Sequence, residues 1–211
     1  MTRHAAEQGQ RPARAPADIE IHPGLPPSQR GAAARLYWQA FGGKLGRVLG
    51  PEERALRYLD RVIRADHVLT AWEADGRLAG LAGFRSWAGG FASGTAGDLA
   101  AVYGRAGAAW RAGALRLLTS DVDNRRFLID GICVRADCRG RGIGSALLDA
   151  LSDLARSRGY DEIRLDVVDS NPRARALYRR HGYAEAGTDR IGPLALLFGF
   201  RSSTRMVRAL T

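Results

Sequence analysis

The 211-residue sequence predicts a single α/β domain. Two observations carry that expectation. Residues 127–210 alternate strand-like and helix-like segments joined by short links. Upstream, two apolar runs flank the Ala74-Asp75-Gly76 turn, a hairpin signal. A hydrophobic fraction of 45% supplies an ordinary core for such a domain.

Residues 1–17 are polar and contain Pro12 and Pro16, which predicts a disordered tail and leaves 18–211 as the folded domain. A short strand is expected around Ile19–His22. Ser28–Phe41 carries Ala32, Leu36 and Ala40 at helical spacing behind a Ser28 cap, and Pro51–Arg64 places Ala55, Tyr58, Leu59 and Val62 on one helical face. The hairpin pairs His67–Glu73 with Arg77–Arg85, and the glycine-rich stretch Ser86–Gly97 predicts a loop. Residues 98–118 predict a helix with a stripe of Leu99, Val102, Tyr103, Ala106 and Trp110.

The second half is more sharply patterned. Phe127–Val134 predicts a strand, and Gly142–Arg158 a helix with Ile143, Leu147, Leu151 and Leu154 inward, closed by Gly159. Ile163–Val168 alternates as a buried strand. Asn171-Pro172 opens a helix ending at His181-Gly182, and strands follow near Tyr183–Thr188 and Thr204–Leu210.

Lys and Arg total 32 against 22 Asp and Glu, a net charge of +10, and Lys44 is the sole lysine. The arginine, alanine and glycine bias fits a GC-rich bacterial coding sequence. The cations are spread along the chain without a basic face or reading helix. They predict attraction for phosphates, with no specific nucleic-acid partner. Cys133 and Cys138 have neither zinc-site nor disulfide-framework spacing, so no metal is expected. No run approaches the roughly 18 apolar residues of a membrane span, and the N-terminus lacks the apolar core of a signal peptide. A soluble cytoplasmic protein is the expectation.

The chemistry concentrates in Arg139-Gly140-Arg141-Gly142-Ile143-Gly144, between a strand and a helix. Alternate glycines leave amides unshielded where the helix begins, and those orphan donors with the helix dipole suit a pyrophosphate. Arg139 and Arg141 add charge. The bland alternative is a flexible surface turn. A Walker loop would need Gly-Lys-Ser/Thr, and the dinucleotide spacing G-x-G-x-x-G is absent.

Those residues resemble the acetyl-CoA loop of the GCN5-related N-acetyltransferase (GNAT) superfamily, Gln/Arg-x-x-Gly-x-Gly/Ala, with Arg139, Gly142 and Gly144 in register. Ile132-Cys133-Val134-Arg135 resembles the family's fourth strand. Asn171, Ala174, Tyr178, Gly182 and Tyr183 are similar to its Asn-x-x-Ala-x-x-x-Tyr-x-x-x-Gly-Phe/Tyr element, and Thr204–Leu210 to its last strand. The resemblance covers about residues 127–210. It implies a mixed, mainly antiparallel sheet of six or seven strands with splayed parallel central strands, flanked by helices.

It further implies acetyl-CoA as cosubstrate and a primary amine, on a small molecule or a protein, as acceptor in a ternary complex. The amides of Arg139, Gly140, Arg141, Gly142, Ile143 and Gly144 would hold the pyrophosphate, with Ser145 beside them. The backbone of Ile132, Cys133 and Val134 would pair with the pantetheine arm. Asn171 and Ala174 would also lie on that arm, although Asn171 is equally suited to cap its helix. Tyr178 would protonate the departing thiolate. The residues alone allow it to be core, because Ala174, Leu177, Tyr178 and His181 share a helical stripe.

Asp130 breaks an apolar row, since on an ideal strand it shares a face with Leu128, Ile132 and Val134. A carboxylate there needs a partner, with Arg125 or Arg126 the candidates, or a role. In the family an acidic residue on this strand often holds the substrate amine or takes its proton. Gly131 can mark a bulge that parts the central strands. His181 suits the C-terminus of its helix, and Asp166 suits a structural or substrate contact. Trp38, Trp87 and Phe91 are aromatic candidates for an acceptor pocket. The apolar segment 191–200 either covers the acceptor site or is buried in a homodimer interface. A non-catalytic acyl-CoA-binding regulatory module is the alternative reading.

Overall fold

The computed structural model describes residues 16–86, 88–116 and 126–210. The tail expected over residues 1–17 therefore lies outside the described residues up to residue 15. The strands are β1 (Ile19–Pro23), β2 (Val68–Glu73), β3 (Leu78–Ser86), β4 (Gly89–Gly90), β5 (Arg126–Val134), β6 (Glu162–Val168), β7 (Ala184–Arg190) and β8 (Ser202–Ala209). The helices are α1 (Arg30–Leu49), α2 (Glu52–Val62), α3 (Ala96–Arg116), α4 (Ile143–Ser157), α5 (Pro172–Arg180) and α6 (Ala195–Phe198).

One mixed sheet runs in the order β1-β2-β3-β5-β6-β8-β7, with β4 paired to β3. Its one parallel ladder among the described residues is short: Arg126–Leu128 of β5 against Glu162–Arg164 of β6. Beyond those pairs the two strands part, as the splayed-strand expectation requires. The remaining ladders are antiparallel.

Each face of the sheet is covered. α4 presents Ile143, Leu147, Leu151 and Ala155 at helical spacing and buries them against Phe127, Ile129, Ile163 and Leu165. On the other face α1 and α2 pack Ala33, Leu36 and Leu59 over Leu81, Phe91 and Cys133. A third apolar cluster joins α1, α2, α3 and α6. Where the turn after β4 packs onto the sheet, β3 carries glycine: a Cβ on Gly83 would lie 2.7 Å from that of Phe91.

Several expectations change. The first helix extends past Phe41 to Leu49 despite Gly42, Gly43 and Gly46, because α6 packs along its last turns. The glycine-rich loop contains β4. The third helix begins at Ala96 and is broken at Gly104, whose φ of +73° is non-helical. Residues 117 and 118 lie outside the described residues. The break cuts the expected stripe: Leu99 and Tyr103 are buried, while Ala106 and Trp110 are exposed. Segment 191–200 folds as a turn and α6, and Phe198 and Phe200 are buried in the chain's own core. Its apolarity is thus largely satisfied within the chain, with Leu196 left exposed.

Candidate active site

The glycine loop lies between β5 and α4, at the end of the cleft opened by the parting of β5 from β6. Gly140 and Gly142 have φ of +80° and +82°, a region only glycine enters at little cost. A Cβ at either would meet nothing within 4 Å, so backbone conformation rather than crowding selects glycine there. Gly142 is the N-cap of α4 and contributes no side-chain cap. The first-turn amides of Ile143, Gly144 and Ser145 therefore have no side-chain acceptor from the cap. Together with the unpaired edge of β5 beyond Leu128, this arrangement fits an anionic ligand with an extended amide-bearing arm.

The two loop arginines part company. Arg141 is paired to Glu73 at 2.8 Å and to Asp18, so its charge is largely met by carboxylates. Glu73 also receives Arg135, and the Arg141 and Arg135 guanidiniums hold its carboxyl down to about 2. Arg141 thus ties the loop to β2 and the start of β1. Arg139 is exposed and donates from Nε to the Val134 carbonyl at 3.3 Å.

Asn171 caps α5, its side-chain oxygen accepting from the Ala174 amide at 3.1 Å. Ala174, Leu177 and Tyr178 are half-buried on the face of α5 that meets the main core. The Tyr178 ring lies 6.0 Å from that of Tyr183. Burial, with a smaller effect from the Cys133 thiol, pushes its hydroxyl up to about 12. It is therefore protonated at neutral pH. Burial also pushes the Cys133 thiol up strongly, which leaves it a poor nucleophile.

His181 reaches further than the end of its helix. Its Nε2 lies 3.0 Å from Ser145 Oγ and its Nδ1 3.3 Å from Asp149. The pair fastens the last turn of α5 to the first turns of α4, fixing the spacing between Tyr178 and the glycine loop. Asp166 lies 3.2 Å from Arg164.

Asp130 corrects the period-two expectation. The ladder between β3 and β5 pairs Gly83 with Gly131 but Phe84 with Ile129, so Asp130 is the extra residue of a bulge. The bulge reverses the alternation. Phe127, Ile129, Ile132 and Val134 belong to the α4 side, whereas Gly131 faces Phe41 of α1 and Cys133 lies in the α1 cluster. Asp130 points toward β4, its Oδ2 3.0 Å from where a Gly90 side chain would begin. Its partner is Arg85 at 2.9 Å, in a pair mostly screened from solvent. Arg126 instead bonds Glu162, and Arg125 lies outside the described residues.

Tyr37 of α1 lies near the pair; burial and the Asp130 carboxylate raise its pKa well above that of a free tyrosine. Of the aromatic candidates, Phe91 is fully buried core and Trp38 is half-buried against two core clusters. Trp87 lies outside the described residues. Among those residues no His, Cys, Asp and Glu group forms a metal cluster, and no helix is long and apolar enough to cross a membrane.

The Acetyltransferase (GNAT) family matches residues 31–183. The chain belongs to the GNAT acetyltransferases. It is similar to a mycothiol acetyltransferase of Clavibacter sepedonicus, 39% identical over 97 residues, covering 40% of this chain and 32% of that one. A streptothricin acetyltransferase of Streptomyces lavendulae is 41% identical over 66 residues, covering 31% of this chain and 35% of that one. These matches span about a third of those relatives' length. A solved acetyltransferase shares the fold with a TM-score of 0.60 at 22% identity, over 91% of this chain and all of that one.

Proposed function

We propose that this GNAT acetyltransferase moves the acetyl group of acetyl-CoA directly to a primary amine, without a covalent enzyme intermediate. The observation that carries the reading is the unpaired edge of β5, which runs from the Asp130 bulge to the amides of the glycine loop. Acetyl-CoA supplies the acetyl group as an activated thioester. The amides of Arg139–Gly144, with Ser145 next to them, bind its pyrophosphate. The backbone of Ile132, Cys133 and Val134, with Asn171 and Ala174 on α5, orients the pantetheine arm.

The acceptor amine must be neutral to attack. Asp130, held by Arg85 through Oδ1, offers Oδ2 to orient the amine and to accept its proton, directly or through water. A backbone amide at Ile132 or Cys133 polarises the carbonyl. Tyr178 keeps its proton at neutral pH and donates it toward the departing thiolate while the amine gives one up. The sulfur's ordinary pKa is near that of cysteine, about 8.5, well below that of Tyr178, so stepwise transfer would be uphill and the two proton movements are coupled.

A mycothiol acetyltransferase and a streptothricin acetyltransferase are among the proteins similar to this chain. Their partial coverage leaves the acceptor here as an amine of open identity. Thiol release from acetyl-CoA across a panel of amines tests the reading. Turnover is expected with at least one amine, falling about 10²–10⁴-fold in Tyr178→Phe, the usual contribution of a positioned acid. Binding of acetyl-CoA without turnover on any amine would favour a non-catalytic acyl-CoA-binding module.

A further inference from the structure

Lys44, the single lysine, has no part in the mechanism above. It follows Tyr37 and Phe41 on α1 at steps of four and three residues, so the three share one helical stripe. The Tyr37 and Phe41 rings are 4.6 Å apart. Phe41 fills the space beside the bulge: a Cβ on Gly131 would meet its Cζ at 2.6 Å. Lys44 Nζ sits 5.3 Å from the centre of that ring. The Lys44 and Cys133 side chains influence each other electrostatically, as do those of Cys133 and Tyr178.

Lys44 Nζ thus lies on the α1 side of β5, against the ring that fills the space beside the bulge. No carboxylate of the described residues is paired to this amine, whereas many of the chain's arginines are paired. Burial lowers its pKa, with Cys133 opposing, which enlarges the neutral, nucleophilic fraction.

We propose that Lys44 Nζ is a self-acetylation site, taking the acetyl group of acetyl-CoA bound in the same chain when no acceptor amine is present. The inference rests on the donor reading above. In the step, the Nζ lone pair forms a C–N bond to the acetyl carbonyl carbon and the C–S bond breaks. Its electron pair leaves on the CoA sulfur, and one Nζ proton ends there. The products are an Nζ-acetyl-lysine and free CoA thiol. Acetylation removes the one amine on α1 and enlarges it, so the modified chain presents a narrower acceptor side.

The test uses the full chain, shown by intact mass to be unmodified, incubated with radiolabelled acetyl-CoA and no amine. Donor binding is measured in parallel by calorimetry. Peptide mass mapping is expected to find label approaching one acetyl group per chain, on Lys44. The first-order rate should not change with protein concentration, and label should be lost in Lys44→Arg. Denaturant-unfolded chain should label far more slowly. Binding without label at Lys44, label chiefly on the N-terminal amine, or equal labelling of the unfolded chain would each overturn self-acetylation and leave the donor reading standing. Absence of donor binding removes both.

Discussion

The donor half of the cleft and the acceptor half are built on different principles. The donor half is backbone: the edge of β5, the glycine loop and the first turn of α4, with α5 held by its own Asn171 cap. Its geometry follows from residues close together in sequence. The acceptor half is side chains brought from afar. Arg85 meets Asp130 across 45 positions, and Phe41 closes on Gly131 from another layer. A backbone site tolerates substitution at many side chains but depends on a few glycines. A side-chain site fails when a single partner is removed.

The largest expected effect tests that second statement. Arg85→Met strands the Asp130 carboxylate, whose side chain is 14% exposed. Loss of one partner of a buried pair is expected to destabilise by about 3 kcal/mol, whereas Arg85→Met with Asp130→Leu should recover most of that. Urea denaturation of the single and double variants measures both. In the single variant the KM for the amine should rise with little change in the KM for acetyl-CoA. Equal stability of the single and double variants would mean that the pair is solvated and that the acceptor half is not organised around it.

The same division explains what could be read from the sequence. The loop between Arg139 and Gly144, the α4 stripe and the Asn171 cap were legible because each is local: glycine at positive φ, apolar residues at helical spacing, a cap next to its own helix. Asp130 stood out as a carboxylate in an apolar row, but its face and partner were not legible. Period-two alternation presumes an unbroken ladder, and one extra residue at the bulge reverses it. Nor does any spacing single out Arg85 among 31 arginines. The break at Gly104 was equally hidden, because an isolated glycine in a helical pattern is usually tolerated. The reach of His181 to Ser145 and Asp149 depends on how α5 crosses α4, which only the assembled fold decides.

A smaller effect is expected from Gly142→Ala on the donor side. The new methyl group meets nothing, so the cost is the left-handed backbone alone, about 1–2 kcal/mol. Relief of that strain by a backbone shift would turn the first amides of α4. The KM for acetyl-CoA should therefore rise while the KM for the amine holds, the reverse of Arg85→Met. If both constants rise together, the two halves are mechanically coupled rather than separately built.

Acid offers the mildest test, because the donor half carries a carboxylate held low by its partners and α3, outside both halves, carries another. Glu73 is drawn down to about 2 by Arg141 and then Arg135, and fastens the glycine loop to β2. Asp98 is drawn down to about 2 by the Thr95 amide and hydroxyl and then Arg61, and fastens α3 to α2. A depressed folded pKa contributes stability that is complete above the unfolded value, about 4 for these groups, and is lost as pH falls through the folded value. Stability should therefore decline between about pH 4.5 and pH 2. Glu73→Gln and Asp98→Asn should each flatten part of that slope, with the double variant flatter than either. In Glu73→Gln the donor half should have lost its acid-sensitive tie already, so hydrogen exchange of the α4 amides should change less between pH 4.5 and 3 than in the parent chain. An unchanged pH response of those amides would mean that Arg141 holds the loop through Asp18 alone.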